Sequence, residues 1–127
     1  MPAFLHGLST ALPPHVLTQD VVRERAGIIF GAKYPQFARL SKSFATAGID
    51  RRYSVVPIDW FSEEHGWVDR NVAFIEGAKA MFLDAARLAL LDAGWQAEEV
   101  DCVVTVSSTG IATPTLEAQV FSDMGFR

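Results

Sequence analysis

The stretch Val100-Asp101-Cys102-Val103-Val104-Thr105-Val106-Ser107-Ser108-Thr109-Gly110-Ile111-Ala112-Thr113-Pro114-Thr115 decides how this chain is read. Residues 100–106 form a short, largely apolar run rich in β-branched side chains, the pattern of a central strand covered on both faces. Three hydroxyl residues follow, Gly110 lets the backbone turn, and Thr113-Pro114 offers an N-cap with a first helical residue that needs no amide hydrogen. Leu116, Val120, Phe121 and Met124 supply that helix with an apolar face up to Gly125. In open α/β sheets, ligands gather where strand ends meet helix N-termini. Ser107, Ser108 and Thr109 are therefore candidates for a pocket wall. Spacing leaves a second reading open, a plain strand-to-helix turn held by local hydroxyl bonds.

Upstream, Val72, Ile75, the aliphatic stem of Lys79, Phe82, Ala86, Leu90 and Ala93 recur at steps of three or four and predict a long helix over 68–93, about 39 Å at 1.5 Å per residue. Its many small residues, Gly77, Ala78, Ala80, Ala85, Ala86 and Ala89 among them, predict close approach of other backbones. Gly94 ends it. Further back, Phe37, Leu40 and Phe44 predict a helix over about 34–45, capped at Gly48 and carrying Arg39 and Lys42 on one face. Arg51 to Val56 reads as a short strand or extended segment before Pro57. Thr18 predicts an N-cap for a helix from about Gln19, with Gly31 as its stop. Ala3 to Leu8 reads as a strand closed by Pro13-Pro14.

The bulk properties narrow the function class. A length of 127 residues fits one domain. With 11 basic and 15 acidic residues, a net charge of -4 and no Lys/Arg run, a phosphate-backbone binder is disfavoured, and no nucleic-acid partner is expected. Mean hydropathy is +0.18, yet no apolar run reaches the roughly 18 residues of a membrane span. The N-terminus lacks a signal-peptide pattern and Cys102 is the sole cysteine, so a soluble, cytoplasmic protein is expected. A hydrophobic fraction of 50% with so few strands predicts faces that this chain cannot cover alone.

The run from Val104 to Ala118 resembles the type III polyketide synthases (chalcone/stilbene synthase-like) of the thiolase superfamily, in which a Thr/Ser pair precedes Gly, an apolar residue and a Pro. Gly48-Ile49-Asp50-Arg51-Arg52-Tyr53, the Ala-rich helix ending at Ala93-Gly94, and Gly125-Phe126-Arg127 extend the likeness over most of the chain. The resemblance implies an α/β fold, with residues 1–127 as an N-terminal part of a thiolase-like αβαβα domain. It implies an acyltransferase that condenses an acyl-CoA starter with malonyl-CoA as a homodimer, without a further cofactor. It places Ser108 and Thr109 on the substrate-pocket wall and Thr113 where the family reaches into its dimer partner's cavity. It assigns CoA-phosphate contact to Arg39 and Lys42, which from spacing alone read as a solvated helix face. Thr46 departs from the plant-type members, which carry Lys there; Arg51 and Arg52 are the nearest cations that could compensate. The Thr-Gly-Ile-Ala-Thr-Pro variant implies members that make alkylpyrones or alkylresorcinols from fatty acyl starters.

Cys102 lies within the predicted strand with no basic neighbour or helix N-terminus, so an inert buried thiol is expected. By resemblance, the family's Cys, His and Asn lie downstream of Arg127, leaving no catalytic residue in these 127. His6, His15 and His65 have no spacing that builds a metal site. Two other readings stay open: a ketoacyl synthase III, which shares Gly-Ile followed by basic residues near position 50, and a non-catalytic dimerisation or acyl-CoA-binding module. Extender choice separates the first, and binding without turnover marks the second.

Overall fold

The computed structural model describes residues 2–127, which fall into two compact units, Pro13–Gly66 and the pair of segments 2–12 with Trp67–Arg127.

In the first unit, β1 (His15–Thr18) pairs antiparallel with β2 (Arg51–Ser54), in the register His15 opposite Ser54 and Thr18 opposite Arg51. Thr18 ends β1 and also caps α1 (Gln19–Phe30), its hydroxyl accepting from the Val21 N–H at 3.4 Å. Gln19 ties the start of α1 to the rest of the unit. Its backbone N–H donates to Asp50 O at 2.9 Å and its side chain donates to Phe44 O at 3.0 Å. Arg25 of α1 reaches Asp59 at 2.5 Å and also bonds Ser62, holding a 3₁₀ segment at Ile58–Ser62 where the sequence shows no period.

The helix expected over 34–45 is broken into α2 (Phe37–Leu40) and α3 (Ser43–Thr46). The hydroxyls of Ser41 and Ser43 turn back onto Ala38 O and Leu40 O, at 3.0 and 2.7 Å, and so compete with the helical ladder. The strand expected at Ala3–Leu8 also does not form, and that segment is extended but unpaired.

The second unit is organised by α4 (Trp67–Ala93), 27 residues and about 40 Å long. Gly94 leaves it at φ 70° and Gly125 leaves α5 (Leu116–Met124) at φ 75°, a region where a side chain would be strained. The N-terminal segment meets α4 at Gly7 and Leu8. Gly7 approaches the backbone of Ala89 and Ala93, and the Leu8 N–H donates to Asp92 Oδ2 at 3.1 Å. His6 and Trp95 bring their rings to 5.1 Å. On the other flank α5 packs on α4, with Arg87 donating to the Asp123 carbonyl at 3.1 Å.

Val120 and Met124, one turn apart on α5, are the buried hydrophobic residues, at 0% and 8% exposure. Residues 100–106 are extended as expected but are not a covered central strand. Among the described residues no strand pairs with them, and Val104 and Val106 stand 80% and 93% exposed. Cys102 is exposed as well, which corrects the expectation of a buried thiol. The cause is common to both. A central strand is buried by its neighbours, and the described residues supply neighbours for one face only. No described helix is long and apolar enough to cross a membrane.

Candidate functional site

The loop between the extended run and α5 is fixed from three directions. Ser107 and Thr109 form a local hydroxyl turn, the Thr109 N–H donating to Ser107 Oγ at 3.2 Å. Asn71, in the second turn of α4, grips Ile111 at both backbone groups: its Nδ2 donates to Ile111 O at 2.9 Å and its Oδ1 accepts from the Ile111 N–H at 2.9 Å. One helical turn on, Phe74 lies against Gly110 so closely that a Cβ on that glycine would stand 2.2 Å from the ring. Gly110 is thus needed for contact, beyond the turn that the sequence suggests.

Beside the Gly110 contact lies a shallow concavity of about 120 Å³, lined by Phe74, Thr105, Ser107, Gly110, Ala112, Thr115 and Leu116. Thr105, on its wall, donates its hydroxyl to the Glu117 carboxylate. That bond first, then one from the Thr115 hydroxyl and one from its own backbone N–H, hold the Glu117 carboxyl below its ordinary value, against a smaller opposing push from burial. The folded value is depressed, so the contribution is present above the ordinary carboxylate range and is lost as pH falls through the folded value. Removing the principal donor tests this. Thr105→Ala is expected to move the Glu117 midpoint upward in a carboxyl NMR titration; an unmoved midpoint would show that the Thr105 bond does not set it.

The candidates from sequence occupy this frame unevenly. Ser108, Thr109 and Thr113 are all exposed on the loop and do not line the concavity; their neighbours Ser107, Ala112 and Thr115 do. Helix α5 starts at Leu116 after Thr115 as N-cap, so Thr113-Pro114 remains in the turn. Thr115 keeps an extended backbone at ψ 160°, which places the helix start two residues later than expected. Asn71 and Phe74 are missed by sequence reading because their partners lie far along the chain.

In the other unit, Arg39 lies in the last turn of α2, before its final residue Leu40, and Lys42 precedes α3 as its N-cap. The break between the helices does not separate them. The Lys42 N–H still donates to Arg39 O at 3.4 Å, and in such a tight turn residues three apart lie above one another. Both side chains are exposed, and among the described residues neither makes an ion pair. Arg52 donates to Gln19 at 3.1 Å, a structural use of that cation. No described cluster of His, Cys, Asp and Glu is arranged to hold a metal.

No family model matches the chain. Individual proteins do. A protein named putative chalcone synthase from Bacillus subtilis is 31% identical over 129 residues, covering 98% of this chain and 35% of its own length. A 1,3,6,8-tetrahydroxynaphthalene synthase of Streptomyces griseus is 32% identical, covering 92% of this chain and 31% of its own. The crystal structure of the Streptomyces coelicolor tetrahydroxynaphthalene synthase, described as a bacterial type III polyketide synthase, superposes with a TM-score of 0.84 at 31% identity, over 95% of this chain and 35% of that one. The chain thus spans about a third of the length of these relatives.

Proposed function

The chain has the sequence and the fold of a type III polyketide synthase segment, and we propose from this that the intact protein condenses an acyl-CoA starter with malonyl-CoA. The observation that carries the reading is the joint likeness in sequence and backbone across nearly all of these residues.

In the proposed reaction, a cysteine thiolate outside these 127 residues attacks the starter thioester, forming a carbon–sulfur bond and releasing CoA as its thiol. Malonyl-CoA loses carbon dioxide, and the electron pair left on its α-carbon attacks the enzyme-bound acyl carbon, displacing the cysteine sulfur. Residues of this chain bind and shape. Arg39 and Lys42 hold the CoA phosphates, as two cations on one turn can. Ser108 and Thr109 offer hydroxyls to the carbonyls of the growing chain, each worth about one hydrogen bond. Thr113 reaches the partner subunit's cavity in a homodimer. The apolar faces exposed around Val104, Val106 and Leu91 are where the remainder of the synthase packs. The variant Thr-Gly-Ile-Ala-Thr-Pro supports a fatty acyl starter and an alkylpyrone or alkylresorcinol product.

Incubation of the intact protein with long-chain acyl-CoA and labelled malonyl-CoA tests this, with labelled pyrone or resorcinol as the expected product. A requirement for malonyl-acyl carrier protein would transfer the protein to the ketoacyl synthase III type, and binding without turnover would make it a non-catalytic module. Arg39→Glu combined with Lys42→Glu is expected to weaken acyl-CoA binding about tenfold, two solvent-exposed charge contacts being worth about 1–2 kcal/mol together. Unchanged affinity would remove both residues from the CoA site.

A further inference from the structure

Among the features outside the assigned roles, the best determined is the two-point hold of Asn71 on Ile111. Both bonds are 2.9 Å, one donated and one accepted, so the amide side chain satisfies the backbone of one loop residue as a neighbouring strand would. The adjoining residue is Gly110, seated against Phe74, which shares a face of α4 with Asn71 at a spacing of three. The loop therefore has one register on the helix, set by a polar clamp and a steric stop side by side. Ser108 and Thr109 precede the clamp by three and two residues, and Thr113 follows it by two.

We propose that Asn71 is a positioning residue of the synthase, fixing through Ile111 where the hydroxyls of Ser108, Thr109 and Thr113 stand, and so controlling how many extensions occur before release. The proposal rests on the polyketide synthase reading for its chemistry. The clamp itself does not depend on that reading. Asn71 touches no substrate in this role. Its removal leaves Phe74 and Gly110 in contact but frees the loop to slide along the helix by the amount one hydrogen-bonded residue allows. A growing chain then meets displaced hydroxyls, and extension suffers more than starter binding.

The test uses the intact protein with Asn71→Ala and with Asn71→Asp, which keeps the acceptor for the Ile111 N–H and removes the donor to its carbonyl. Hydrogen exchange at the Ile111 amide is expected to accelerate about tenfold in Asn71→Ala and less in Asn71→Asp. In both variants kcat is expected to fall roughly tenfold, with products shifted toward fewer extensions and the KM for the acyl-CoA starter within about twofold of the parent. Should Asn71→Ala not fold, the product shift and kcat of the near-isosteric Asn71→Asp decide the matter. An unchanged Ile111 exchange rate in Asn71→Ala overturns the clamp, and faster exchange with parental product ratios overturns the positioning role. If the parent protein makes no polyketide, the proposed activity fails, and exchange alone reports on the clamp.

Discussion

Gly110→Ala is expected to destabilise the intact protein by about 3 kcal/mol, at the upper end for one inserted methyl, and to lower turnover with it. The added Cβ would fall 2.2 Å from Cδ1 and 2.5 Å from Cγ of Phe74, and an aromatic ring that close to its own Cβ cannot swing aside as a flexible chain end could. Either the ring leaves its rotamer or the loop lifts from α4, and the second path breaks the Asn71 clamp next door. A double-mutant cycle separates this contact from general damage. With Phe74→Ala in the background, Gly110→Ala should cost less by about 1–3 kcal/mol in denaturant unfolding. Additive losses would show that Gly110 is not there for the ring.

The second large effect is expected at the other end of the unit. Gly7→Ala places a Cβ 2.5 Å from the Ala89 carbonyl oxygen and 2.9 Å from the Ala93 nitrogen, both backbone atoms of α4. Neither can move without bending a helix whose ladder is continuous there, so the segment 2–12 has to retreat instead. Loss of the Leu8 to Asp92 hydrogen bond follows, with a total cost of about 3 kcal/mol. Unfolding of the intact protein gives the total. Faster exchange of the Leu8 amide locates it, and a Leu8 amide as protected as in the parent would refute the close crossing.

Legibility in the sequence follows the range of the forces involved. Helix α4 is found within one residue of its true start and at its true end, since a 27-residue apolar period and Gly94 are local signals. Helix α1 is found for the same reason, through Thr18 and Gly31. The 34–45 helix is over-read because apolar spacing is blind to the hydroxyls of Ser41 and Ser43, which take carbonyls from the helical ladder. Strand β1 is missed because its partner lies some 36 residues on, and tetrapeptide strands carry little pattern of their own. At the site, the turn, Gly110 and the hydroxyl run are legible. Asn71 and Phe74 are not, since a polar and an aromatic residue on a long helix announce nothing until the fold brings residue 111 beside them.

The bare extended run through Val103, Val104, Thr105 and Val106 carries a consequence for how the protein comes into being. Its free edge is β-branched, uncharged from Cys102 to Gly110 and without proline, the composition that self-associates when left open. Helices α4 and α5 can assemble from neighbouring sequence, whereas this edge closes only when a strand from elsewhere arrives, so its lifetime in the open state sets a race between completion and aggregation.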